Sequence, residues 1–260
     1  KRYRRIKYKS KIKIKSKITS MNNKTFKIFV DFDGTISQKD VGEAMFLHFG
    51  DSEKALEIAN EWMSYKIKAT DAWKATCNTI AKLDHDEFDK FLTGIQIDPG
   101  FVKFVDWCNQ GQSELKILSD GFDYYIDKFL NREGLGHVET RTNKLFFGNE
   151  NQLMPAFPYT DEECTKCANC KRNHILNFSG DEDYTVYVGD GFTDFCPAQF
   201  CDFIFAKNSL LKYCEVNRIT YFPYSTFNDV IDKLEELKGK KRLKKRHQAE
   251  LKRREVFIQG

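Results

Sequence analysis

Phe26-Lys27-Ile28-Phe29-Val30-Asp31-Phe32-Asp33-Gly34-Thr35 passes within one short stretch from an apolar run into an acidic turn. The run is β-rich and ends in acid and glycine, so it reads as a buried strand that stops at a loop. Residues i and i+2 leave a strand on the same side, which puts Asp31 and Asp33 together while Phe32 turns into the core. Two further apolar runs end the same way. Leu115–Leu118 leads into Ser119-Asp120-Gly121, and Tyr184–Val188 leads into Gly189-Asp190-Gly191-Phe192-Thr193-Asp194. Phe203–Ala206 is a fourth strand, and Val138–Phe147 is a further β-rich stretch. Helical segments are predicted near 122–131, 193–200, 208–215 and 226–237. Strands alternating with helices indicate an α/β fold with a mainly parallel sheet.

Between the first two strands, apolar residues recur at helical spacing from Asp40 to about Gly111. Asp51-Ser52, Thr70-Asp71 and Asp84-His85 are helix-start signals within that block. A plain crossover needs only about a dozen residues, so the block reads as a helical insertion. The predicted division is a core of 21–38 and 112–237 with a cap of 39–111.

In an open α/β sheet the carboxyl ends of the strands converge on one crevice. Asp31, Asp33, Asp190 and Asp194 are therefore expected to share a site, where unpaired carboxylates would repel. A hard divalent cation with oxygen ligands resolves this, and Mg²⁺ suits it. One carboxylate can attack phosphorus while its neighbour moves a proton. A lone Asp-x-Asp would more simply be a helix cap or tight turn; three acidic turns closing three strands in order make that reading the weaker one.

Taken together, Asp31-x-Asp33-Gly34-Thr35, Ser119, a lysine and Gly189-Asp190-Gly191-x-x-Asp194 resemble the haloacid dehalogenase superfamily of phosphatases. The helical insertion is similar to the C1 cap of the phosphoserine-phosphatase-like group. The resemblance implies a Rossmann-like core with a parallel sheet flanked by helices. It implies Asp31 as nucleophile and metal ligand, with Asp33 as general acid and base offering its main-chain carbonyl to the metal. It also implies Ser119 and the Gly121 amide on phosphate, Thr35 supporting the turn on the phosphate side, Asp190 on Mg²⁺ and Asp194 assisting. Cys167-Ala168-Asn169-Cys170-Lys171 resembles a narrower branch, the 2-hydroxy-3-keto-5-methylthiopentenyl-1-phosphate phosphatases of methionine salvage. Phosphoethanolamine/phosphocholine phosphatases share the element, which implies Lys171 as the phosphate-binding lysine. Asp40 stands where this group resembles a substrate-contacting acid.

The cap carries no arginine between Ser37 and Gly100, whereas Asp40, Glu43, Trp62 and Trp73 fall within it. Selection of a substrate carboxylate usually uses a planar guanidinium, so a phosphate ester other than phosphoserine is the expected small-molecule partner. The enol phosphate comes first and phosphoethanolamine or phosphocholine second, with phosphoserine kept as a further alternative. Cys164, Cys167 and Cys170, with His174, offer the alternative of a zinc site.

With 41% hydrophobic residues, the chain can bury a core, which excludes global disorder. No apolar run approaches the ~20 residues of a membrane span, and no signal peptide is visible, so a cytoplasmic chain with reduced thiols is expected. Residues 1–20 hold ten Lys/Arg and no acid, and 238–255 hold ten with two acids. The remainder, 21–237, has 22 basic and 36 acidic residues. The ends therefore read as a basic N-terminal extension, 1–20, and a basic C-terminal tail, 238–260. A polyanion-binding protein that uses these ends is the non-enzymatic alternative. The intact acidic turns argue against it, and nucleic acid is not the expected partner.

Overall fold

The computed structural model describes residues 25–259, with side chains to residue 256, so the extension 1–20 lies outside the described residues. One sheet holds seven strands: β1 (Phe26–Val30), β2 (Glu114–Phe122), β3 (Glu139–Phe147), β4 (Leu153–Ala156), β5 (Tyr184–Gly189), β6 (Phe203–Ala206) and β7 (Phe222–Pro223). Their order is β4-β3-β2-β1-β5-β6-β7. Every pairing is parallel except β3 with β4. The chain grows from β1 outward to β4, then returns to β1's other side with β5. That reversal opens a crevice at the carboxyl ends of β1, β2 and β5.

The period of two in β1 divides the core. Phe26, Ile28 and Val30 enter one apolar cluster, and Phe29 enters the other. The first face is covered by α5 (Phe101–Gln110), α6 (Asp123–Arg132) and α9 (Phe227–Gly239). The second is covered by α7 (Lys171–Phe178) and α8 (Asn208–Val216). The α/β architecture read from the sequence is the one observed.

The insertion contains α1 (Val41–Phe49), α2 (Ser52–Met63), α3 (Ala69–Cys77) and α4 (His85–Thr93). Asp40, Asp51 and Asp84 cap α1, α2 and α4, each accepting backbone N–H bonds in the first turn. α3 starts at Ala69 with Lys68 before it, not at the Thr70-Asp71 signal. The chain leaves and re-enters the core through a two-stranded neck. Gln38 N–H donates to Gln96 O at 2.9 Å and Asp98 N–H to Ile36 O at 2.7 Å.

The neck moves the expected cap boundary. Residues 101–110, assigned to the cap by periodicity, form a core helix. Phe101, Phe104, Val105 and Cys108 are buried, and the Phe227 ring of α9 lies 4.9 Å from both Phe101 and Phe104. Helical periodicity marks an apolar face but not the partner that covers it.

The C-terminal run also departs from expectation. Residues 247–259 form α10 (His247–Gln259), which packs on the core rather than trailing as a basic tail. Ala249 is fully buried, and Val256 packs on the second cluster. Arg253 is buried and donates to Asp202 Oδ1 at 3.2 Å and to the Phe200 carbonyl. Asp202 in turn accepts the Thr185 N–H and hydroxyl at 3.0 and 2.9 Å. Arg246 donates to the Ala198 carbonyl at 2.6 Å. Removing one partner of a buried pair strands the other, so Arg253→Ala should cost about 3 kcal/mol in urea unfolding. Lys252→Ala, at an exposed position in the same turn, should stay within about 0.5 kcal/mol. Equal losses would mean that α10 is not docked through Arg253.

Candidate active site

The carboxyl ends of β1, β2 and β5 and the start of α7 meet around one ammonium group. Lys171 Nζ donates to Asp31 Oδ1 at 2.6 Å, Asp194 Oδ1 at 2.7 Å and Thr193 Oγ1 at 3.0 Å. Lys171 and Asp194 are fully buried and Asp31 nearly so. Asp194 is further held by the Tyr187 hydroxyl at 2.6 Å and by the N–H groups of Asp190 and Gly191 at 2.8 and 2.9 Å. It thus ties its own loop to the lysine. Burial pulls the Lys171 ammonium down, but the charges of Asp194 and Asp31 override it and hold it above its ordinary value.

Asp31, Asp190 and Asp194 each offer an oxygen within 4.8 Å of the others. Asp190 is half-buried and fixed by Thr35 Oγ1 at 3.0 Å and Asn208 Nδ2 at 3.1 Å. Burial first, and then the Asp194 charge, raises both Asp31 and Asp190. Three carboxylates with one ammonium leave excess negative charge, and an all-oxygen donor set fits a hard divalent cation. Gly34 makes this approach possible. Its φ is +72°, and a Cβ there would lie 2.7 Å from Asp190 Oδ2.

The fourth expected carboxylate goes elsewhere. Asp33 shares the strand end with Asp31, but its side chain faces the cap. Asp33 Oδ1 accepts the Val41 N–H at 2.9 Å, in the first turn of α1. Oδ2 accepts the Tyr125 hydroxyl at 2.9 Å and the Ser119 hydroxyl at 3.3 Å. Its side chain is therefore not one of the clustered oxygens. Burial raises the Asp33 carboxyl to about 6. The Ser119 hydroxyl also accepts the Gly121 N–H at 2.9 Å.

A cavity of about 460 Å³ lies between these turns and the cap. Asp31, Asp33, Ser119, Gly121 and Asp190 line its floor, and Asp40 and Glu43 stand on its wall. The cap residues Phe46, Leu56, Ile58, Trp62, Met63 and Trp73 give it apolar lining, and the Trp73 indole N–H donates to Asp120 Oδ2 at 3.4 Å. Among the described residues no arginine lines the cavity, and Lys39 is its one lysine. Thr35 does not line it; its hydroxyl serves Asp190 instead of a phosphate. Trp62 reaches across from the cap. Its indole N–H donates to Lys166 O at 2.9 Å, and its ring meets Phe192 edge-on at 5.4 Å.

Several residues here carried no signal in the sequence. Tyr125, Tyr187, Asn169 and Asn208 act by long-range hydrogen bonds that no local motif announces. Asp120 Oδ1 accepts the Asn169 N–H at 2.6 Å, and Asn169 Nδ2 donates to the carbonyls of Ser119 and Arg141 at 2.7 and 2.8 Å. Asn169 thereby locks the segment before Lys171 to the end of β2. His174, the expected fourth zinc ligand, is buried with Nε2 paired to Asn169 Oδ1 at 2.8 Å. Burial, then the Arg141 charge, lowers it to about 4. The thiols of Cys164 and Cys170 raise that of Cys167. Among the described residues, however, the aspartates are the one group of three or more metal-type donors that closes together, so the zinc alternative finds no support.

The chain is similar to known phosphatases. The family model described as Putative Phosphatase matches residues 26–216. A 2-hydroxy-3-keto-5-methylthiopentenyl-1-phosphate phosphatase of Bacillus cereus is 31% identical over 221 residues, covering 84% of this chain and 99% of that protein. The corresponding protein of Bacillus mycoides is 29% identical over 216 residues, covering 82% and 97%. Among solved structures, a phospho-aspartyl intermediate analogue of phosphoserine phosphatase superposes with a TM-score of 0.63 at 19% identity, covering 82% of this chain and 99% of that one. That likeness is one of fold.

The raised Asp33 carboxyl gives a pH prediction. A group whose folded pKa lies above its unfolded value of 3.8 adds most stability below that value, and loses it as pH rises through about 6. In chelator-treated protein, wild type should therefore lose stability relative to Asp33→Asn between pH 4 and pH 7, as read from thermal midpoints. A difference that stays constant over that range would contradict the raised value.

Proposed function

The chain belongs to the Putative Phosphatase family of haloacid dehalogenase phosphatases, as a phosphoric monoester hydrolase with a C1-type helical cap, and we propose that it works through a covalent phosphate on Asp31. The observation that carries this reading is the buried Lys171 bonded at once to Asp31 and Asp194. Its charge opposes the burial that raises Asp31, and its hydrogen bond aims that carboxylate along the strand end, as a nucleophile requires. In this reading Ser119 and the Gly121 amide, which line the cavity, hold the phosphate oxygens together with Lys171, whose buried ammonium lies behind Asp31, and Asp31 attacks phosphorus. Asp33 gives a proton to the departing alcohol oxygen, then takes one from the water that releases phosphate. Asp31, Asp190 and, from behind, Asp194 would hold Mg²⁺, with the Asp33 main-chain carbonyl as a further donor. When bound, Mg²⁺ supplies positive charge that offsets the negative charge of the phosphate. Thr35 keeps Asp190 in place.

The substrate we propose is the enol phosphate named for the Bacillus proteins. The cavity supports it: its lining combines acidic, glycine-rich strand ends for the phosphate with apolar cap side chains that suit a methylthio tail. A second reading has its own support. Asp40, Glu43 and Asp120 line the cavity, and a cationic headgroup, as in phosphoethanolamine or phosphocholine, would draw the proton from Asp40, which burial and then the Asp33 charge raise to about 8. Neither reading needs a guanidinium, and phosphoserine fits a cavity without one poorly.

Asp31→Asn should lower kcat by about a thousandfold or more while the circular dichroism spectrum is unchanged. Activity within a few-fold of wild type would end the covalent reading. EDTA should stop turnover and added Mg²⁺ restore it, whereas full activity in metal-free protein would contradict the metal assignment. In a comparison of kcat/KM, the enol phosphate should exceed phosphoserine by at least about tenfold, or about 1.4 kcal/mol. An amine phosphate ahead of the enol phosphate would favour the second reading.

A further inference from the structure

Tyr125 is one of the largest fully buried side chains, and it sits directly behind the proton-transfer residue. It lies on α6, with its ring 6.1 Å from Phe32 and 6.5 Å from Phe122. Its hydroxyl passes behind Gly121 of β2 and donates to Asp33 Oδ2 at 2.9 Å. A Cβ on Gly121 would overlap that hydroxyl, so position 121 must lack a side chain for the contact to form. Burial, then the charges of Asp33 and Asp40, raises the phenol well above its ordinary value. It therefore keeps its proton and acts toward the carboxylate as a donor.

A carboxyl group swivels readily about its last torsion, so one hydrogen bond does not fix both oxygens. Val41 N–H holds Oδ1 of Asp33, and Oδ2 has two donors. Ser119, the longer contact at 3.3 Å, lines the cavity, where its hydroxyl is open to a bound phosphate. Tyr125 does not line the cavity, so its bond to Oδ2 persists when the cavity fills. We propose that Tyr125 is the positioning residue for proton transfer: its hydroxyl, with the Val41 N–H, holds the Asp33 carboxyl aimed at the departing alcohol oxygen. The inference rests on the reading of Asp33 as proton donor and extends it to a residue with no place in the acidic turns.

The test varies the leaving group. Protonation matters for a poor leaving group and little for a good one. Phenyl phosphate and p-nitrophenyl phosphate share a shape and differ in this respect. kcat/KM reports the steps up to alcohol departure, so it is the quantity to compare. Tyr125→Phe should lower kcat/KM about tenfold for phenyl phosphate and less than about twofold for p-nitrophenyl phosphate. Asp33→Asn should show the same selectivity with a larger loss. An equal loss on both substrates from Tyr125→Phe, or no loss on either, would overturn the inference while leaving a selective Asp33→Asn effect intact. An equal loss from Asp33→Asn would overturn the proton-donor reading and the inference with it. Should Tyr125→Phe fold poorly, 3-fluorotyrosine at this position keeps the ring and makes the hydroxyl a stronger donor. It should change the ratio of the two kcat/KM values, and an unchanged ratio would overturn the proposal.

Discussion

A lysine ammonium buried between two carboxylates is the constraint around which this molecule is arranged. Lys171 cannot reach water, so it must be paired, and Asp31 and Asp194 supply the pairing at 2.6 and 2.7 Å. The three groups come from different places: the end of β1, the start of α7, and the turn after β5. Their meeting requires the strand order to reverse about β1. It also requires the segment before Lys171 to be locked down, which Asn169 does by bonding β2, β3 and His174 together. Breaking such a pair strands a buried charge at a cost of about 3–5 kcal/mol, so the site is also a fastening of the fold.

Division of labour between the two aspartates of the first turn follows from direction alone. They leave β1 on one side, yet Asp31 points at the lysine and Asp33 at the cap. Asp33 is gripped by an N–H of α1, so the first cap helix is bonded directly to a catalytic candidate. The cap's other end reaches Lys166 and Phe192 through Trp62. The cavity is thereby lined both by acidic groups and by aromatic and aliphatic cap side chains, which favours a phosphate ester with an apolar or cationic remainder.

Local chemistry was the readable part of the chain. The acidic turns after β1 and β5, the strand runs and the capping aspartates at 51 and 84 depend on neighbours in sequence, and the structure has them where the pattern puts them, whereas Ser119-Asp120-Gly121, expected as a turn, lies within β2 at an irregularity of its pairing with β3. What could not be read depends on distant partners. The apolar face of α5 meets α9 instead of the cap, because nothing in a periodic pattern names its counterpart. Arg253 reads as one more basic residue until Asp202 is seen beside it. Thr35 serves Asp190 rather than phosphate, and Tyr125 looks like a core aromatic until its hydroxyl is seen to meet Asp33.

The covalent role of Asp31 is the claim on which the rest of the chemistry stands, and it can be observed directly. Protein mixed with a phosphate ester and quenched in acid within one turnover should be treated with borohydride, which reduces an acyl phosphate to an alcohol. Peptide mass spectrometry should then find homoserine at position 31, in proportion to the phosphoenzyme present. An unaltered Asp31 under conditions where phosphate release is already under way, or reduction at another aspartate, would contradict the account.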